Sequence, residues 1–336
     1  MTFTELNSVE HYIINQLTGV NLNKSSVEAE KASYGIEWQY KSSATLKRSV
    51  NEVLLEQNLK DALIRLNPEI AANNALADEV IYKLRAILIT VEQMGLVRAN
   101  EEFFKWLTGD KTMPFGENNR HVPVRFFDFE DLSKNEYIVT NQYRVHHRET
   151  KIPDIVLFIN GIPVVVGEAK APTRPSVSWL DGAHEIHNIY EDAVPQLFVP
   201  NILSFATEGK ELHYGGVRTP LDFWSPWRLE SDEGDLAHIF GLGEIGKELT
   251  DLLHPARLLD IMQNFSLFST DKKKKRIKII PRFQQYEGAN KIVERVKEGR
   301  LKKGLIWHFQ GSGKSLLMVF AAQKLRHDPQ LKSPTV

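Results

Sequence analysis

PDIVLFINGIPVVVGEAK, residues 153–170, carries the strongest structural signal in this 336-residue chain. Asn160-Gly161 stands between two apolar runs, IVLFI and IPVVV, and Asn-Gly in that setting marks a two-residue β-hairpin turn. The flanking runs are therefore neighbouring antiparallel strands. Asp154 and Glu168 fall at the end of the ribbon away from the turn, and Glu168 and Lys170, two apart in a strand, share a face. Register decides whether the carboxylates meet. A two-residue turn at 160–161 pairs Asp154 with Gly167 and sends Glu168 to the other face, whereas a three-residue loop at 160–162 or a bulge pairs Asp154 with Glu168.

The residue types suit phosphodiester chemistry. Two carboxylates at one strand edge make an oxygen-lined site for Mg²⁺, which binds a scissile phosphate and lowers the pKa of an attacking water. Lys170 would orient that water, help deprotonate it or stabilise charge on phosphorus, and the Ala169 carbonyl would complete the metal shell. The bare D-x13-E-x-K spacing is weak evidence, since roughly one such match is expected by chance in a chain of this size; the hairpin makes it specific.

Upstream of the hairpin the pattern is helical. Leu6, Val9, Ile13, Ile14 and Leu17 recur at helical spacing with Asn7 or Ser8 as caps, and further helices are predicted over 43–66 and 68–94, the latter opening with Pro68. Gly109 to Val124 reads as a loop. Strand-like runs follow at VRFFDF, EYIVTNQYRV and the hairpin itself, then a polar loop, a helix near 182–193, and two more strand-like runs, ILSFATEG and ELHYGGV. A helical region covers 244–266. The expected class is α/β, a mixed sheet flanked by helices.

The last stretch has a different character. Gln284–Lys297 is helical, LKKGLIWHF is predicted as a short strand, Gly311-Ser-Gly-Lys-Ser315 as a turn, and LLMVFAAQKLR as a helix. That order builds a phosphate loop: Gly311, Ser312 and Gly313 bring backbone N–H groups onto phosphate, Lys314 reaches the β and γ oxygens of ATP, and Ser315 ligates Mg²⁺. Such a pentapeptide arises by chance in roughly one in a thousand chains this long. The first glycine of the strict eight-residue pattern is replaced by His308. The acidic residues that position water lie on later strands, so these residues are expected to bind ATP without hydrolysing it and to look cut short at SPTV.

Composition limits the alternatives. Apolar residues make up 42% and charged residues 25%, as in folded globular chains. With no cysteine, disulfides, thiol catalysis and cysteine zinc sites are excluded. No apolar run reaches a membrane span and the N-terminus lacks the order of a signal peptide, so a cytoplasmic protein with no membrane contact is expected. Forty-two basic against 43 acidic residues leave a net charge of −1, so any nucleic acid must meet a local basic surface.

The hairpin, followed by IWHFQGSGKS, resembles the R subunit of type I restriction-modification enzymes. The resemblance implies a restriction-endonuclease-like PD-(D/E)xK domain over residues 1–260 and the beginning of a RecA-like P-loop domain of a superfamily 2 motor over 261–336. The family's catalytic positions match Asp154, Glu168 and Lys170, and Glu10 in VEHYIINQL resembles the acidic residue of its first nuclease helix. Arg282-Phe-Gln-Gln285 resembles the motor's adenine-reading motif through Gln285, and AVPQLFVPNILSFATEGKELHYGGV its post-nuclease segment. The implied activity is that of a type I site-specific deoxyribonuclease, which uses ATP to pull duplex DNA and Mg²⁺ to cut it. The implied partners are double-stranded DNA, read through phosphates and shape, and methyltransferase and specificity subunits. One position departs: many members carry Gln-x-x-x-Tyr after the lysine, whereas Ile186 lies four residues before Tyr190 and Glu185 five before.

Two other classes remain open, a non-catalytic DNA-clamp module feeding a P-loop motor and a nucleotide switch with no role on DNA. The run from Asp271 to Arg276 reads as a solvated linker at a domain boundary, with DNA-backbone contact as the alternative. Arg300, Lys302 and Lys303 read as solvated charges. His146 and His147, beside Arg144 and Arg148, could ligand a metal or touch phosphate, but adjacent residues in a strand face opposite ways, which argues against a shared metal. His184 and His187 share a helix face without a third ligand.

Overall fold

The computed structural model describes residues 9–23, 37–171, 176–229, 242–300, 303–331 and 334. Leu6, the caps Asn7 and Ser8, the centre of the loop after Lys170, Lys302 and most of the closing SPTV lie outside the described residues.

Helices α1 (His11–Thr18), α2 (Glu56–Leu66), α3 (Pro68–Ala72), α4 (Ala75–Met94) and α5 (Leu96–Leu107) make up the first part. The helix expected over 43–66 is shorter: residues 43–45 make a single 3-10 turn, further turns follow, and α2 begins only at Glu56, after the Leu55 N–H has donated to Gly161 O at 2.8 Å. The 68–94 helix is interrupted where Asn73 takes an extended conformation, and Pro68 occupies the first turn of α3 as its fixed φ favours. Helix α5, which the sequence pattern left unassigned, buries Asn100, whose amide donates to Val199 O at 2.7 Å and Asn201 O at 3.0 Å.

The strands in chain order are β1 (Gln39–Tyr40), β2 (Thr112–Met113), β3 (Val122–Pro123), β4 (Tyr137–Asn141), β5 (Val145–His146), β6 (Thr150–Lys151), β7 (Ile155–Ile159), β8 (Ile162–Ala169), β9 (Leu203–Thr207), β10 (Leu212–Gly215) and β11 (Ser225–Pro226). Seven form one mixed sheet in the order β1-β4-β7-β8-β9-β10-β11, parallel at β1/β4 and β8/β9 and antiparallel elsewhere. Strands β7 and β8 are buried along their whole length, so both faces are covered and the apolar residues run on without alternation. The strand predicted for VRFFDF does not form, and the reason is visible. The Asn67 side chain accepts from Arg125 N and donates to Arg125 O, both at 2.8 Å, taking the backbone groups a ladder needs.

Between β8 and β9 run α6 (Trp179–His184), a π-helical turn (Glu185–Tyr190), α7 (Glu191–Ala193) and α8 (Pro195–Phe198). Helix α6 packs on β8, β9 and β10. Beyond the sheet come α9 (Leu242–Leu252), α10 (Pro255–Asn264), the ribbon β12 (Leu267–Thr270) with β13 (Arg276–Ile279), α11 (Phe283–Glu298) and α12 (Lys314–His327). The core continues into these helices through Phe265, whose ring centroid lies 4.7 Å from that of Tyr286 and 5.4 Å from that of Phe320.

Two further expectations need correction. The run from Asp271 to Arg276 is no linker; it forms the turn of the β12/β13 ribbon. Within LKKGLIWHF the described residues, 303–309, form no strand and have no ladder partner among the described residues, and Leu305 and Trp307 are 85% and 88% exposed.

Candidate active site

The hairpin turn has Asn160 at φ 50° and Gly161 at φ 78°, the left-handed pair of a type I′ turn. Near the turn Ile159 pairs with Ile162 and Phe158 with Pro163, the register of a two-residue loop. Farther along, Leu157 pairs with Val165 and Ile155 with Gly167, so Val164 is an extra residue. Pro163 has no N–H to give the ladder, and the irregularity falls beside it. Extended by one position, this register sets Asp154 opposite Glu168, the arrangement that needs a bulge.

Asp154 Oδ2 accepts the Ala169 N–H at 2.9 Å. Ala169 thus contributes its N–H to this corner. Glu168 is 3% exposed, its Oε1 accepts from Lys170 Nζ at 2.8 Å, and its Oε2 is buried with no hydrogen-bond partner. Glu10, just before α1, is buried as well. Gln142 Nε2 donates to Glu10 Oε1 at 2.9 Å, to its Oε2 at 3.0 Å and to Asp154 Oδ1 at 3.1 Å, so one amide ties the first helix to the hairpin carboxylate. Gln142 holds φ 49°, a conformation uncommon outside glycine. Sequence reasoning missed Gln142, which lies within EYIVTNQYRV just past the end of β4.

Lys170 has a second partner. Its Nζ donates to Glu185 Oε2 at 2.6 Å, and Glu185 Oε1 accepts from Tyr190 Oη at 2.9 Å. Residues five apart do not stack in an α-helix, but Glu185–Tyr190 is π-helical, with i→i+5 bonding that brings its two ends onto one face. The altered spacing thus presents a carboxylate to the lysine, while Ile186 is buried in the core.

Burial pushes the pKa of Asp154 up, against the Ala169 N–H and Lys170. Burial, then repulsion from Asp154, pushes Glu168 well above the usual carboxylate range. Burial works against the charge on Lys170, yet Glu168 and Glu185 outweigh it and its pKa rises. Burial acts to raise Glu185, and the hydrogen bonds from Lys170 and Tyr190 outweigh it and lower its pKa. The corner therefore holds more acidic groups than its one ammonium balances.

A divalent cation fits this excess. Mg²⁺ takes one or two carboxylates and completes its shell with water and phosphate oxygens, so Asp154 and the unpartnered Glu168 Oε2 are a sufficient donor pair. Among the described residues no group of three or more histidine or acidic side chains is placed to hold a metal ion, so the fit rests on the two carboxylates, a number that Mg²⁺ accepts.

In the second candidate region Gln285 is buried, and its Nε2 donates to Ser312 O at 3.1 Å and Gly313 O at 3.2 Å, while its Oε1 accepts from Arg282 N at 2.9 Å. Gly311 and Gly313 have φ 86° and 80°. A Cβ on Gly313 would lie 2.1 Å from Gln285 Nε2. Lys314 opens α12 and, exposed, donates to His308 O and Phe309 O at 3.0 Å each. Ser315 is exposed at the same helix start, and the Ser312 hydroxyl is buried without a partner. Gly311, Gly313, Arg282 and Gln285 line a cavity of about 510 Å³ that Tyr214 and Pro220 close from the sheet side.

The histidines stay apart. His147 bonds to Glu92 at 2.7 Å and His146 to Thr150 at 2.9 Å, so the two have separate partners. His187 bonds to Asn188. Among the described residues no helix is long and apolar enough to cross a membrane.

Residues 28–223 match a family described as Type I restriction enzyme R protein N terminus, and residues 284–336 match the SWI2/SNF2 ATPase family. The chain is 30% identical over 335 residues to the Type I restriction enzyme HindI endonuclease subunit of Haemophilus influenzae, covering 94% of this chain and 31% of that protein. It is 30% identical over 235 residues to the Putative type I restriction enzyme MjaVIIIP endonuclease subunit of Methanocaldococcus jannaschii, covering 68% of this chain and 22% of that one. The chain belongs to the family of type I restriction enzyme R protein N termini, and it spans about a third or less of the length of these curated relatives.

Proposed function

We propose that residues 1–260 form a PD-(D/E)xK endonuclease domain that hydrolyses phosphodiesters of double-stranded DNA with Mg²⁺. Residues 261–336 begin the first RecA-like lobe of a motor that binds ATP and pulls DNA, and methyltransferase and specificity subunits supply target recognition. The observation that carries the nuclease reading is a bulged hairpin register that, extended by one position, sets Asp154 opposite Glu168, with Glu168 Oε2 buried and unpartnered.

Asp154 and Glu168 would hold Mg²⁺, which when bound supplies Lewis-acid polarisation of a phosphate oxygen and a more acidic water. The Ala169 N–H fixes the Asp154 carboxylate, and Gln142 keeps Glu10 and Asp154 at a set separation. Lys170, held cationic by two carboxylates, is suited to neutralise charge developing on phosphorus and unsuited to take a proton. At the nucleotide loop, phosphate oxygens would take Lys314 Nζ from the His308 and Phe309 carbonyls, Ser315 would face Mg²⁺, and the N–H groups opening α12 would meet the anion.

The test is nicking of supercoiled DNA by the chain assembled in its complete enzyme with methyltransferase and specificity subunits, with and without Mg²⁺, for the parent and for Asp154→Ala. Loss of nicking in the variant, with ATP-dependent translocation retained, is the expected result. Equal nicking by Asp154→Ala, or nicking without a divalent ion, would overturn the assignment.

A further inference from the structure

The basic run at 271–276 divides its work. Arg276 turns back onto the body, its Nε donating to Glu101 Oε2 at 2.7 Å. Two residues on, Lys278 is buried under the sheet domain, donating to Asn201 O at 2.6 Å with its ammonium 4.0 Å over the Phe104 ring. On the partner strand Phe268 packs edge-on against Phe104 at 5.6 Å. The base of the ribbon is thereby fastened on both strands.

The tip is ordered too. Asp271 Oδ1 accepts the N–H groups of Lys273 at 2.9 Å and Lys275 at 2.8 Å, its own N–H donates to Lys275 O at 2.9 Å, and Lys274 takes φ 62° to close the turn. The only acidic side chain of the run is therefore committed to backbone. Lys272, Lys273, Lys274 and Lys275 are all exposed or nearly so, and none has an ion-pair partner among the described residues. Other lysines of this surface, Lys60, Lys111 and Lys297, do sit against a carboxylate. A solvated linker would let four adjacent ammonium groups spread, whereas this ordered turn keeps them in one small region and so concentrates positive potential there.

We infer that the tip of the β12/β13 ribbon is a DNA-backbone contact, in which Lys272 to Lys275 engage phosphates of a duplex. This goes beyond the proposed cleavage site and rests on that reading only for the choice of DNA over other polyanions. Lysine suits such a contact, being a point charge tolerant of orientation and matched to phosphates without reading base edges. The tip carries no aromatic or apolar side chain to stack on a base or enter a lipid surface, since residues 271–276 are all charged. With a chain net charge of −1, attraction to DNA has to come from a local cluster of this kind.

The experiment measures the affinity of the full chain for a fluorescent duplex of about 30 base pairs against salt, in EDTA so that nothing is cut, with each phosphate contact contributing about −0.9 to the log-log slope. The variant with Lys272, Lys273, Lys274 and Lys275 all changed to Gln is expected to bind roughly 10–100-fold more weakly near 0.1 M salt, with a slope shallower by about two to four; the all-Arg variant retains both. Urea midpoints of the variants check that the fold persists. An unchanged slope in the all-Gln variant would overturn the inference, as would an all-Gln effect that appears on a polyglutamate probe with no loss on the duplex. Because cleavage is absent from the assay, failure of the nuclease reading appears only in the Asp154→Ala nicking test and leaves this measurement standing.

Discussion

Lys170 Nζ lies 2.6 Å from Glu185 Oε2, and the carboxylate reaches it because the chain from Glu185 to Tyr190 winds as a π-helix. Glu185 touches the lysine and Tyr190, so it positions rather than reacts. Glu185→Ala is expected to slow DNA cleavage about 10–100-fold, a loss of roughly 1.4–2.7 kcal/mol of transition-state stabilisation. Glu185→Gln keeps an acceptor for Lys170 and is expected to recover most of the rate. Single-turnover cleavage of the two variants separates positioning from folding, since a purely structural role would leave both equally active per folded molecule.

Gly161 closes the hairpin where no side chain fits. A Cβ there would stand 2.4 Å from Leu55 O and 2.8 Å from Leu59 N, and its φ of 78° is already strained for any other residue. Gly161→Ala is expected to destabilise the fold by about 2–4 kcal/mol, read as a lower urea midpoint. A cost within experimental error would mean that α2 does not dock on the turn.

Gln285 braces the phosphate loop through two carbonyls, so its loss acts on nucleotide binding before anything else. Gln285→Ala is expected to weaken binding of a fluorescent ATP analogue about 5–20-fold, or roughly 1–2 kcal/mol. Lys314→Ala is expected to lose more, because it removes the charge that meets the phosphates. Equal affinity in Lys314→Ala would remove the triphosphate reading of the loop.

His213 gives a pH signature away from the carboxylates. It stacks on Trp179 with ring centroids 3.7 Å apart, and burial lowers its pKa from 6.5 to about 4, with Arg228 adding to the shift. The unfolded chain therefore binds a proton that the folded one refuses between pH 6.5 and 4, so stability is fully present above pH 6.5 and is lost as the pH falls through that window. His213→Gln is expected to flatten the pH dependence of the urea midpoint across that same interval. An unchanged slope would place the acid sensitivity elsewhere.

The hairpin was legible because Asn160-Gly161 between apolar runs admits one local solution, a type I′ turn, and the two strands follow from it. The phosphate loop was legible for the same kind of reason, glycines at φ 86° and 80° followed by a helix that begins at Lys314. Local rules also misled: VRFFDF has strand composition, yet the Asn67 side chain replaces its ladder, and DKKKKR has linker composition, yet it closes a ribbon.

By itself the sequence determined which residues carry charge and where the chain turns, since turn geometry and strand alternation depend on neighbours a few positions away. Tertiary structure decided which carboxylates meet. The extra residue at Val164, the amide of Gln142 between Glu10 and Asp154, and the i→i+5 turn that lifts Glu185 to Lys170 join segments far apart in the chain. Their geometry is set by packing against the whole sheet, a long-range constraint that no local pattern encodes.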